Sequence, residues 1–256
     1  MNENYDAQQK DRELFDRIAL NYSEKDIYPV SRIVRKFQID TLLNLLTPYS
    51  KQTIFNNIIE LGCGNGANSI YLEKRYKKYT GMDFSSELIK IADNKYGCEN
   101  RRFYSGNISD LKDEKYDIVV CVGVLHHLPD LEEYLGYISR AGNKETLFLF
   151  LEPQGKNPLI QFLRIIRKNI DPSYSKTQKF FHKKELIEKF NKAGFDILNI
   201  QYTGYFTPPF AQVIIKPVWL FAPLVKLLIK TDSFIQKYFP NRLSWNISFI
   251  AKRRVD

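Results

Sequence analysis

The chain is poor in the residue types that bind metals or build covalent frameworks, with three cysteines and three histidines in 256 residues. Cys63, Cys98 and Cys121 form an odd set without zinc-type spacing, and the histidines complete no ligand cluster, so neither a metal centre nor a disulfide scaffold is expected. The cysteines read as reduced thiols of a cytoplasmic protein. The opening residues, MNENYDAQQKDRELF, are polar and hold no apolar signal region, so secretion is not implied. No stretch reaches the roughly 18 to 20 uninterrupted apolar residues of a membrane-spanning helix. Low-complexity tracts and internal repeats are absent too, which excludes a disordered chain and a solenoid.

What is present is enough apolar and aromatic sequence, 44% and 14%, for one sizeable α/β domain with insertions. Charge is unevenly placed. Residues 1–150 carry 20 Lys/Arg against 22 Asp/Glu, whereas 151–256 carry 18 against 7, so the whole net charge of +9 comes from the second part. A solvated lysine-rich surface would explain this surplus, and so would attraction to an anionic membrane, an anionic lipid or a phosphorylated substrate.

The chain is organised around residues 57–72, NIIELGCGNGANSIYL. Ile58 and Ile59 form a short apolar run that reads as a buried strand, Glu60 stands at its carboxyl end, and Gly62, Gly64 and Gly66 follow. Ala67, Ile70, Tyr71 and Leu72 then recur at helical spacing, so the glycine turn delivers the backbone to a helix N-terminus. Glycines let the main chain approach a ligand closely, and free N–H groups at a helix start favour an anionic group. The spacing is G-x-G-x-G, one residue shorter than a dinucleotide fingerprint. A second apolar segment, Tyr79 to Met82, ends in Asp83, a carboxylate at a neighbouring strand tip that could accept from ribose hydroxyls.

Together, E-L-G-C-G-N-G followed by G-M-D resembles the class I S-adenosylmethionine-dependent methyltransferases. Further matches follow in D-I-V-V with V-L-H-H-L-P-D, residues 117–130, and in Phe15 to Tyr22, which resembles the F-x-x-I-A-x-x-Y entry of quinone-biosynthesis-type members. The resemblance implies a Rossmann-like, seven-stranded, mostly parallel sheet with an antiparallel last strand, and S-adenosylmethionine as cofactor. It places Glu60 and the loop Gly62, Cys63, Gly64, Asn65, Gly66 on the methionine end, Asp83 on the ribose, and Phe84, Asn107 and Ile108 beside the adenine. Val122 at the fourth strand's end joins the cofactor set. Asn107 stands where the family usually has aspartate, so its contact would be uncharged. Tyr22 becomes a candidate lid residue, or an ordinary packed tyrosine. His126 and His127 fall nearest the reacting methyl, where one could deprotonate a substrate hydroxyl or simply shape the loop.

In chain order, residues 1–50 read as a helical N-terminal lid segment, with Ser31 as N-cap of its second helix and Thr47-Pro48 as its stop. Residues 51–153 form the cofactor-binding core, with Ser85 capping the helix after Asp83 and strands at 102–105, 116–127 and 146–151. Residues 182–256 complete it with a helix over 182–190, a strand over 194–202 and the antiparallel strand at 244–251.

Two amphipathic stretches lie outside that scheme, 154–181 and a cap at 205–241. The first sets Leu159, Phe162, Leu163, Ile166 and Ile170 against Arg164, Arg167 and Lys168. The second runs apolar from Val218 to Phe221 and resumes as a helix after Pro223, with Lys226, Lys230 and Lys237 on one side. Either they only cap the active site, or at least one lies in the headgroup region of an anionic bilayer. The expected acceptor is a hydrophobic or lipid-linked small molecule. A soluble phosphorylated or sugar-nucleotide acceptor and a non-catalytic cofactor-binding partner protein remain as alternatives. Nucleic acid ranks lower, because the basic residues sit among aliphatic rather than exposed aromatic residues.

Overall fold

The computed structural model describes residues 3–170, 175, 177–211, 213–236 and 238–254. Lys237 and the side chains of Arg167 and Ile170, which the sequence pattern places on the two amphipathic faces, lie outside the described residues. Two helices, α1 (Glu3–Ile27) and α2 (Pro29–Asn44), precede the sheet. Strand and helix then alternate through β1 (Phe55–Leu61), α3 (Asn68–Tyr71), β2 (Tyr76–Asp83), α4 (Ser86–Tyr96) and β3 (Arg101–Ser105). They continue through β4 (Ile118–Val122), α5 (Leu131–Ser139), β5 (Leu147–Pro153) and α6 (Pro158–Ile170). The chain closes with α7 (Lys183–Lys192), β6 (Phe195–Thr203), α8 (Val218–Ile235) and β7 (Asn246–Arg253).

The seven strands form one sheet in the order β3-β2-β1-β4-β5-β7-β6. The first five pair in parallel, and β7 runs antiparallel to both of its neighbours. This is the Rossmann-like architecture that the resemblance implies. β4 and β5 are nearly continuous apolar runs, and β1 is buried from Ile58 to Leu61, because each is covered on both faces. One face packs under α5 and α7, where Phe150, Phe190, Phe195 and Phe249 form a cluster of stacked and edge-on rings. The other packs under α2 and α4 through Leu42, Ile89 and Ala92. Fully buried rings carry much of this stability, since truncating one typically costs about 3–5 kcal/mol.

The chain leaves β1 outward through β2 and β3, then returns to the other side of β1 with β4 and continues to β5. That reversal opens a crevice beyond the carboxyl ends of β1 and β4, the usual ligand position in an open α/β sheet.

Four local details differ from the sequence expectation. Ser31 does not cap α2, because Pro29, with its φ pre-set for a helix, starts it two residues earlier. Ser31 is instead buried inside the helix and donates to the carbonyls of Phe210 and Val213. α2 ends at Asn44 in a run of turns, ahead of Thr47-Pro48. The helix after the glycine loop closes after four residues, with Leu72 N–H returning to the carbonyl of Asn68. α8 runs unbroken through Pro223, which sits in its second turn, where one missing N–H leaves only the carbonyl of Trp219 unpaired on an exposed face.

Candidate active site

β1 leads into the glycine turn through Gly62, whose φ of 71° is left-handed and whose missing Cβ would lie 2.3 Å from Val124 Cγ2. Only glycine fits there, because the β1 and β4 turns pack directly against each other. The turn is pinned to β2 by Gly62 N–H and Cys63 N–H donating to the Met82 carbonyl. Asp83, at the tip of β2, accepts from Gly64 N–H and Ser85 N–H, each at 2.9 Å. Burial pushes its carboxyl up to about 6, against the pull of those two donors. Ser85 caps α4 as expected, and its own hydroxyl donates to Asp16 of α1 at 2.6 Å.

Around these tips lies a cavity of about 910 Å³, walled by the ends of β1, β2, β4, β5 and β7 and roofed by α1 and α6. Of the residues singled out for the cofactor, Gly62, Gly64, Asp83, Phe84, Asn107, Ile108 and Val122 line it. Glu60, Cys63, Asn65 and Gly66 stand behind the lining. Glu60 is fully buried, accepts from Asn68 Nδ2 at 2.7 Å and from the Tyr79 hydroxyl, and is pushed by burial up to about 7. Cys63 is buried and its thiol is pushed well up by that burial. Asn65 donates to Ser23 Oγ at 3.2 Å and accepts from Ala67 N–H, and Gly66 packs against Phe103 and Ala92. These four shape the turn from beneath. Asn107 caps a short 3-10 turn over Ile108–Asp110, and its amide pairs reciprocally with Gln8 of α1, at 2.9 and 3.2 Å.

The histidine pair sits beyond β4 in a 3-10 turn over Leu125–His127, not in the strand itself. Glu152, at the end of β5, accepts from Val124 N–H and Leu125 N–H at 2.8 Å each and pairs with His126 Nδ1 at 2.7 Å. With the carboxylate acting as acceptor, Nδ1 carries the proton and Nε2 keeps its lone pair. Burial, with the neighbouring His127 adding to it, holds the His126 imidazole below its ordinary pKa despite Glu152, so it stays neutral near pH 7. His127 Nδ1 pairs at 2.9 Å with Asp11 of α1, which also accepts from Ser175 and Thr177. Burial pushes the Asp11 carboxyl up, but those hydrogen bonds outweigh it and hold it below the usual range. The two imidazole rings lie 4.2 Å apart, and both line the cavity. Tyr22 lines it as well, edge-on to Phe15, whose ring also meets Phe84 and His127.

The resemblance points to Phe15–Tyr22 as a cofactor cover and to Tyr22 as a lid residue, but not to Gln8, Asp11 and Lys25 of the same helix, although their signal is present. Gln8, Asp11, Phe15, Ile18, Tyr22 and Lys25 follow one another at alternating spacings of three and four, and all line the cavity, so they form one helical stripe. Glu152 repeats the pattern of Glu60 and Asp83, an acid at the carboxyl end of a parallel strand. Asn246 and Arg164, which line the far wall, had no local signal.

Comparison with known proteins adds the following. A methyltransferase-domain family model matches residues 13–200. Malonyl-[acyl-carrier protein] O-methyltransferase of Bacillus cereus is 28% identical over 120 residues, covering 46% of this chain and 45% of that protein. Fatty-acid O-methyltransferase of Mycolicibacterium smegmatis is 25% identical over 113 residues, 43% and 41% of the two chains. This chain thus spans less than half the length of either relative. Among solved structures, magnesium protoporphyrin IX methyltransferase from Synechocystis, with bound SAH, superposes with a TM-score of 0.62 at 14% identity, covering 94% of this chain and 97% of that one. That likeness concerns the fold.

Proposed function

Because the chain belongs to the methyltransferase domain family, we propose that it uses S-adenosylmethionine to methylate a hydrophobic or lipid-linked small acceptor. The observation that carries the reading is the Asp83 carboxylate, held by Gly64 and Ser85 at a strand tip beside a turn that only glycine can make, and opening on one cavity with room for a nucleoside and an acceptor. Gly62 and Gly64 face the methionine end, with Glu60, Cys63, Asn65 and Gly66 fixing the turn from behind. Asp83 takes the ribose hydroxyls. Phe84, Ile108 and Val122 enclose the base. Asn107 offers its amide to the adenine edge once Gln8, whose own amide now occupies it, moves aside.

The bound cofactor would supply a methyl group already activated by its sulfonium charge, so the protein's task is alignment and exclusion of water. Phe15, Tyr22 and the α1 stripe cover the cofactor side. His126 and His127 stand at the end of β4, where Glu152 and Asp11 fix their rings. They orient the acceptor, and for a hydroxyl acceptor His127 is the base.

The apolar acceptor is supported by the rim. Leu163 and Ile214 line the cavity and are also 42% and 48% exposed, so the mouth is apolar on its outer side. Beside it α6 exposes Phe162 and Ile165, while α8 exposes Trp219, Leu227 and Phe234 next to Lys226 and Lys230. An anionic bilayer matches both the apolar faces and the basic surplus of the second part, and it would deliver a lipid acceptor at the mouth. No described helix is long and apolar enough to cross a membrane. The relative named for a fatty-acid substrate agrees with an apolar acceptor.

The test is to incubate purified protein with methyl-labelled S-adenosylmethionine and a cell lysate, then to separate lipid and aqueous phases. Label in the lipid phase is expected. Label confined to the aqueous phase would replace the acceptor assignment, and no transfer despite cofactor binding would favour a non-catalytic binding protein.

A further inference from the structure

Polar side chains of α1 reach the core at several separate points. The Gln8 amide meets Asn107, and its Oε1 accepts from the Tyr134 hydroxyl. Asp16 Oδ1 accepts from Ser85 Oγ at 2.6 Å and from Glu87 N–H at 3.2 Å, and Ser23 Oγ accepts from Asn65. Between Gln8 and Asp16 stands Asp11, itself buried, whose carboxylate reaches the histidine pair.

Both oxygens of Asp11 are in use. Oδ2 pairs with His127 Nδ1 at 2.9 Å and accepts from Thr177 Oγ1 at 2.8 Å, while Oδ1 accepts from Ser175 Oγ at 2.7 Å. These bonds keep the carboxyl ionised, and a carboxylate only accepts, so the proton of the pair sits on His127 Nδ1 and the lone pair on Nε2. Among the described residues no hydrogen bond reaches His127 Nε2, and the atom is not sealed off. The side chain is 17% exposed and lines the cavity.

His126 is held in another way. Phe180 stacks on its ring at 19°, Lys179 N–H donates to its carbonyl at 2.8 Å, and its carboxylate partner Glu152 also binds the N–H groups of Val124 and Leu125. Glu152 belongs to β5, inside the sheet, whereas Asp11 comes from a helix outside it. The core therefore fixes the tautomer of His126, and α1 fixes that of His127.

From this geometry we infer that Asp11 is a positioning residue of the active site: from α1 it holds His127 in the Nδ1–H form, so that Nε2 takes the proton of a hydroxyl acceptor. The O–H bond breaks, its electron pair stays on the acceptor oxygen, and the proton goes to Nε2. The imidazolium so formed still donates Nδ1–H to Asp11, and a cation beside a carboxylate counts for more in a buried place than in water. Without Asp11 the ring is free to carry its proton on Nε2, a form that can only donate to the acceptor oxygen. The inference rests on the methyltransferase reading and adds that the base is complete only with α1 in place. Ser175 and Thr177, which follow α6, are tied to the same carboxylate.

Nitrogen NMR of the imidazoles tests this without turnover. The chain has three histidines, the third being His182 at the start of α7, so the signals are assigned with His126→Gln, His127→Gln and His182→Gln. At about pH 8.5, where an ordinary imidazole is neutral, two-bond couplings tell Nδ1–H from Nε2–H. The parent is expected to show His127 as Nδ1–H, favoured roughly tenfold or more by the carboxylate. In Asp11→Ala that preference should be lost while His126 stays unchanged beside Glu152. Gln8 and Asp16 keep α1 seated in this variant, which circular dichroism checks. Phenol, added as a small hydroxyl probe together with S-adenosylhomocysteine, should shift the His127 Nε2 resonance of the parent, and anisole, which has no proton to give, should not. Nε2–H as the main form of His127 in the parent overturns the inference, whether or not Asp11→Ala folds. An unchanged tautomer in a folded Asp11→Ala protein, or a Nε2 resonance that does not tell phenol from anisole, overturns it as well. Absence of S-adenosylmethionine binding by the parent, read by calorimetry, overturns the underlying reading instead.

Discussion

The two ends of the cavity are built on different principles. At the β1–β2 end the turn is made by backbone, since Gly62, Gly64 and the amides bound to Asp83 are positions where chain geometry itself forms the surface, with the Asp83 carboxylate held in place by it. At the β5–β7 end the polar lining comes from side chains of separate elements, Arg164 of α6, Asn246 of β7 and the 3-10 turn carrying His126 and His127, with Glu152 of β5 holding His126 from behind. A backbone-made surface tolerates almost no substitution but can serve any chain that binds the same cofactor. A side-chain-made surface can change its ligand one residue at a time. The difference teaches where a common donor and a particular acceptor are each recognised.

The sharpest way to break this contrast is Gly62→Ala. A Cβ 2.3 Å from Val124 at a left-handed φ forces the β1 and β4 turns apart, so a loss of about 2–4 kcal/mol in stability is expected together with loss of cofactor binding, read by thermal melting and calorimetry. Next, Asp83→Asn removes the charge but not the shape. Two charge-assisted bonds weaken, and cofactor affinity should fall roughly 30- to 100-fold while the melting temperature changes little.

The same carboxylate sets a pH dependence. In the folded protein its pKa is raised to about 6, so below that pH the group is protonated and accepts ribose hydroxyls poorly. Affinity should therefore rise with pH up to about 6 and level off above it, and Asp83→Asn should flatten the profile. For stability the sign is opposite, because a raised carboxyl pKa favours the fold while both states hold the proton. That contribution declines as pH climbs from the unfolded value of 3.8 through about 6.

A smaller effect, and one confined to the far end, is expected from Glu152→Gln. Two backbone N–H groups and His126 lose a charged acceptor in a fully buried site, which should cost about 2–3 kcal/mol of stability and lower turnover at least tenfold, with cofactor affinity kept within a few fold. The smallest expected effect is Lys226→Glu with Lys230→Glu on α8. Flotation with anionic liposomes should drop while cofactor affinity stays at the parent value, and equal flotation of both proteins would remove the bilayer from the account.

The same contrast explains what could be read from the sequence. The glycine turn, Asp83 and the strand alternation were legible because each depends on neighbours a few residues apart, where spacing fixes geometry. The Asp11–His127 and Glu152–His126 pairs were not, since their partners are separated by 116 and 26 positions and meet only when the sheet closes. Ser31 looked like a helix cap for the same reason. Its hydroxyl satisfies carbonyls of Phe210 and Val213, nearly 180 residues away, and no local pattern announces them. Pro223 misled in the other direction, because a proline near a helix start in an exposed turn costs little and need not end the helix.

The most direct test of the central claim is calorimetric titration of the purified chain with S-adenosylmethionine and, separately, with NAD. The account predicts one-to-one binding of the sulfonium compound, weakened by Asp83→Asn, and no heat from NAD. Binding of NAD with none of S-adenosylmethionine would contradict it.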